Sequence, residues 1–173
     1  MHGLAWLLIR LFHVLAGVFW AGGAILLAWH VMPAVRASGA GGAAIMKQLT
    51  VVQRLPLKLV VAAITTLVSG GYLMWVESGG LNSAWLLTGP GITYSAGAIA
   101  TLLAAIIGFC MNIPAAIRMG ALAATVAARP GGGTPEEAQT LGRLAALIAR
   151  GTQSVASLLI VAVGAMAVAR YVP

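Results

Sequence analysis

Four apolar runs, each long enough to cross a bilayer as a helix, occupy most of this chain. They cover residues of about 4–35, 57–76, 92–117 and 144–169. Crossing about 30 Å of hydrocarbon takes roughly 20 helical residues, and each run meets or exceeds that. The runs are continuous, not alternating, so they read as helices and not as barrel strands. The expected fold is therefore all-α: a single transmembrane domain over residues 1–173, built as an integral membrane four-helix bundle.

Composition decides which solvent such a bundle meets. Only 8% of the residues are charged while 61% are hydrophobic. A soluble domain carries about 25% charged residues, so this chain has too little polar surface to coat a water-facing exterior. The net charge of +7 would suggest nucleic acid in a soluble protein. Here the basic residues fall in the breaks between apolar runs, where they act as topology signals and partners of lipid headgroups; no nucleic-acid partner is expected. Cys110 stands alone inside an apolar run, which rules out an intrachain disulfide and suggests a small packing residue. The first run is too long for the core of a signal peptide and reads as a retained helix.

The charge distribution orients the helices. The first connection holds Arg36, Lys47 and Arg54, with Lys58 just inside the next run. The third holds Arg118, Arg129 and Arg143, with Arg150 just inside. The second has Glu77 and no Lys or Arg, and Trp75 and Trp85 flank it as aromatic residues do at a headgroup boundary. By the positive-inside rule both basic connections face the cytoplasm, and both termini face outward. The expected location is a bacterial-type inner membrane, with lipid as the immediate partner and a homodimer or larger membrane complex as a further one. Within the third connection, Thr134, Pro135 and Glu137 read as an N-cap, a first-turn proline and a first-turn acid that start a helix running into the fourth span. The stretch 45–52 suggests a short interfacial helix. No internal repeat is evident.

Ionisable groups inside a span are costly and mark candidate sites. The set is small: Arg10, His13, His30, Lys58, Arg150 and Arg170, with His2 terminal. His13 is the sharpest. Helical spacing places Gly17, Trp20 and Ala24 on its face. An apolar, small-residue-lined site with one imidazole suits a haem iron. The same histidine could equally bond a hydroxyl or a carbonyl on a neighbouring helix. His30 lies about 25 Å further along the helix and reads as an interfacial residue. Antiparallel counting brings Tyr72 and Met166 to the depth of His13. The three acids, Glu77, Glu136 and Glu137, all fall in connections, so no buried carboxylate pair exists for acid–base work. Pro114 suggests a kink in the third helix, with Asn112 bonding the freed carbonyl.

The pattern His13-x3-Gly17-x2-Trp20-x-Gly22 resembles the first helix of a superfamily of small membrane proteins. That superfamily includes the copper-resistance D type, the membrane domain of cytochrome-c-linked urate oxidase, and the HemJ-type protoporphyrinogen oxidase. Ser69-Gly-Gly-Tyr72 and the Gly164-to-Arg170 ending of the last helix are similar to later parts of the same pattern. The resemblance implies a haem-b-binding, redox-linked membrane protein with His13 as the axial ligand to iron and Gly17, Trp20, Tyr72 and Met166 around the cofactor. It does not extend to either enzymatic activity. The chain has no Cys-x2-Cys-His haem attachment, and its single intramembrane lysine, Lys58, lies at the wrong depth for the HemJ type. A non-catalytic subunit of a membrane assembly and copper transport are the alternative expectations.

Overall fold

The computed structural model describes residues 3–173, apart from the side chain of Ala40; His2 lies outside the described residues. Every regular element among them is helical. Four helices are long and apolar enough to cross a membrane: α1 (Leu4–Ala37), α3 (Leu55–Glu77), α4 (Gly89–Ala127) and α5 (Pro135–Tyr171). A short helix, α2 (Gly39–Lys47), links the first two and continues as a π turn over Gln48–Val52, so the whole stretch 45–52 is helical. The helices extend past the expected apolar runs, most of all α4, whose last turns lie in what the sequence suggests is a connection. Alanine-rich segments such as Ala121-Leu-Ala-Ala-Thr-Val-Ala127 hold helical form beyond the apolar limit because alanine has the highest helix propensity.

The chain runs up and down. Helix α1 packs mainly on α3, and α4 mainly on α5; α1 also lies against α5, and α3 meets α4 more sparsely. The centre is made of small residues around one aromatic. Trp20, Ala21 and Ala24 of α1 meet Ala62 and Ala63 of α3, Ala104 and Ala105 of α4, and Val155 and Leu159 of α5. Ala104 and Ala156 have no exposed surface. Glycines close the seams further. A Cβ on Gly23 would stand 2.7 Å from Leu59, and one on Gly97 would stand 3.2 Å from Met166. Large apolar side chains such as Leu7, Leu11, Val18 and Phe12 point outward instead. Small inside and large outside is the pattern of helices that associate by close contact.

Prolines shape both long descending helices in the same way. In α1 a wide π turn, Leu27–Val31, precedes Pro33; in α4 another, Ile107–Asn112, precedes Pro114. A proline has no N–H to give, and its ring presses on the carbonyl one turn earlier. The wider turn relieves that clash without breaking the helix. Asn112 does not bond a freed carbonyl. Its side chain turns toward α5, where its Oδ1 is buried against Gly151 without a hydrogen-bond partner. Cys110 sits on the same turn and is exposed, because the π turn rotates it out of the α4–α5 seam.

The start of α5 follows the expected capping chemistry. Thr134 Oγ1 accepts from the Glu137 N–H at 3.2 Å, and the Glu137 carboxylate accepts from the Thr134 N–H at 2.8 Å. Arg129 pairs with the same carboxylate at 2.9 Å. The helix then runs unbroken into the fourth apolar run.

Candidate functional site

His13 stands on the seam between α1 and α3. Four residues on, Gly17 lets the two backbones approach, with the Thr66 methyl 3.6 Å from where its Cβ would be. Thr66 is itself buried and returns its hydroxyl to the Ala62 carbonyl at 2.8 Å. Its own carbonyl is reached across the seam by His13 Nδ1 at 3.0 Å. Ser69 Oγ lies 3.2 Å from the same nitrogen.

That access depends on Gly70. A Cβ there would stand 2.7 Å from His13 Cε1 and 3.1 Å from Nδ1, so any other residue would occupy the space of the ring. Ser69, Gly70 and Thr66 together form a cradle on α3 into which His13 inserts from α1. Residues far apart in the sequence, the His13-to-Gly22 motif and the Ser69-to-Tyr72 stretch, meet here.

The partners decide the protonation of the ring. A backbone carbonyl only accepts, so Nδ1 must carry the proton. The Ser69 hydroxyl already donates to the Thr65 carbonyl, so it too accepts from Nδ1. One N–H is thus shared between two acceptors, and in the neutral ring the lone pair falls on Nε2. A neutral imidazole in this tautomer is an acceptor or a ligand through Nε2, not an acid.

The other expected residues take different places. Tyr72 lines an open apolar groove of about 560 Å³ between α1 and α3, with Ile9, Phe12, Val68 and Ser69. Trp20 is buried in the bundle centre at 6% exposure, about 10 Å along the helix from His13. Met166 packs on Gly97 in the α4–α5 seam. So the structure seats His13 and Gly17 together against α3, sets Tyr72 in a groove that touches the site through Ser69, and packs Trp20 and Met166 elsewhere in the bundle. His30 is exposed on the π turn of α1, and Lys58 is exposed on α3. Arg10 stacks over Trp6 at 5.2 Å, and Arg170 over Tyr171 at 4.7 Å. Among the described residues no three His, Cys, Asp or Glu side chains group as a protein-only metal site requires.

Of one polar feature, only Arg150 was singled out in the sequence. Arg150, Gln153, Ser154 and Ser157 line an open groove of about 650 Å³ on the outer face of α5, with Ile107 of α4 and Leu158 as apolar walls. Their spacing of i, i+3, i+4 and i+7 is the signal that would have found them. Comparisons with protein-family models, curated proteins and solved structures found no match to this chain.

Proposed function

We propose that this protein spans a bacterial-type inner membrane four times and binds haem b through His13 as a redox-linked electron carrier. The membrane reading is supported by four long apolar helices whose small side chains face inward and whose large ones face outward. It also rests on the basic residues of the first and third connections, which put those connections in the cytoplasm and both termini outside. His13 then lies in the outer half of the membrane.

The observation that carries the haem reading is the contact of His13 Nδ1 with the Thr66 carbonyl at 3.0 Å. Histidines that bind metals commonly donate their other N–H to a carbonyl, which orients the ring and raises the basicity of the ligating nitrogen. Here Nδ1–H is anchored on Thr66 and Ser69, which leaves Nε2 of the neutral ring as the ligating nitrogen. A porphyrin brings the equatorial ligands itself, so a single imidazole satisfies what the iron asks of the protein. The residues present fit that need. When bound, haem supplies one-electron chemistry at its iron. The chain supplies the ring orientation through Gly70 and Thr66, and the apolar groove of Ile9, Phe12 and Tyr72 meets the site at Ser69.

The test is the absorption spectrum of the purified protein. A Soret band that disappears in His13→Ala supports the reading; a colourless, haem-free wild type would sink it. A second reading, a non-catalytic subunit of a membrane assembly, is favoured by Gly22, Gly71, Gly108 and Gly164, which face open space on four different helices. Outward glycines let a further helix approach closely. Co-purification of a second membrane protein in mild detergent would support it, and a stable lone monomer would count against it.

A further inference from the structure

The outer face of α5 carries polar chemistry where a lipid-facing helix should carry none. Arg150, Gln153, Ser154 and Ser157 are all exposed and follow one another along two helical turns. Polar side chains in a span normally face the bundle interior. The threonines at 66, 101 and 152 illustrate the usual way to hide a hydroxyl: each donates to the carbonyl one turn earlier. The side chains of Gln153, Ser154 and Ser157 make no hydrogen bond among the described residues. Arg150 reaches back along the helix, its Nε lying 3.4 Å from the Ala146 carbonyl, which aims its guanidinium toward the basic end of the bundle. Two turns further the same way, exposed Arg143 continues the line.

We propose that this groove binds one anionic phospholipid. The proposal rests on the membrane-spanning reading above, but not on haem. The donors form a graded set. Arg150, with Arg143 beyond it, meets the phosphate; Gln153, Ser154 and Ser157 meet the ester oxygens; Ile107 and Leu158 take the start of an acyl chain. Basic pockets between helices on the cytoplasmic side suit anionic headgroups. Charge also argues against a second copy of the chain on this face. A symmetric pair would bring another Arg150 to the same patch, and the acids Glu77, Glu136 and Glu137 all lie outside it.

The full chain, extracted in mild detergent, is examined by native mass spectrometry and then in phosphatidylcholine vesicles with and without phosphatidylglycerol. One phosphatidylglycerol should be retained per chain and should raise the melting temperature above that in phosphatidylcholine alone. Arg150→Gln should weaken that preference by roughly five-fold, the loss of one cation near the headgroups. Gln153→Leu with Ser157→Leu should weaken it while keeping the charge. Equal stabilisation by phosphatidylcholine, unchanged retention in Arg150→Gln, or full replacement by inorganic phosphate would overturn the proposal. So would a disulfide-linked dimer of Ser154→Cys in a Cys110→Ser background, which would put a second copy on this face. Wild type and Arg150→Gln should both resist alkaline extraction from membranes. Extraction of the wild type would overturn the membrane reading, whereas firm integration without lipid preference overturns this proposal alone.

Discussion

The imidazole of His13 occupies the space that a side chain on Gly70 would need: a Cβ there would lie 2.7 Å from Cε1. The pairing makes Gly70→Ala informative. The ring must leave the Thr66 carbonyl or the α1–α3 seam must open. Overpacking of this kind costs about 1–3 kcal/mol. Thermal unfolding in detergent should report that loss, and the Soret band should weaken or shift with it if His13 ligates iron.

Ser69→Ala separates the two acceptors of the His13 N–H. The Thr66 carbonyl remains at 3.0 Å, so the tautomer and the availability of Nε2 are preserved. One shared hydrogen bond is lost, worth about 0.5–1.5 kcal/mol. The expected result is a modest drop in melting temperature with the haem spectrum kept. Loss of haem in Ser69→Ala would mean that the hydroxyl, not the carbonyl, sets the ring.

The α4–α5 seam depends on Gly151. A Cβ there would fall 2.0 Å from Asn112 Oδ1 and 2.5 Å from Met111 Cε. Gly151→Leu should therefore destabilise the protein strongly, by more than the about 1–3 kcal/mol of ordinary overpacking. Gly164→Ala, with nothing within 4 Å of its added carbon, should not destabilise the protein and should stabilise it by up to about 1 kcal/mol through alanine's helix propensity. Parallel melting curves check the contrast.

Thr134→Ala removes half of the capping box at the start of α5. The cost is about 1 kcal/mol, confined to the first turns. Hydrogen exchange should speed up over residues 135–140, while the apolar part of α5 keeps its protection.

Orientation is tested by single cysteines in a Cys110→Ser background. Cysteines placed at Ser38 and Thr134 should react with a membrane-impermeant reagent only from the cytoplasmic side, and one at Ser83 only from outside. The reverse pattern would invert the assignment made from the basic connections.

The site was half legible in the sequence. His13 stands out because an ionisable group in an apolar run is costly, and Gly17 follows from helical spacing. Antiparallel counting puts the turn of α3 that holds Tyr72 at the depth of His13, but it does not say which residues near that turn face the ring. Counting puts Met166 at the depth of His13, and in the bundle it packs on Gly97. Depth comes from counting residues, but facing comes from rotation about the helix axis, which packing sets. The polar line from Arg150 to Ser157 is periodic in the sequence, but whether it faces inward or outward is visible only in the bundle.

By itself the sequence determined the four long apolar helices and the cap that starts the last of them, because hydrophobic length and end-group hydrogen bonding are local properties. Only the tertiary structure decided which side chains meet. Close contact between helices depends on where a glycine or an alanine removes a Cβ opposite a partner. Gly70 opposite His13 and Gly151 opposite Asn112 are such places, and each joins residues from different helices.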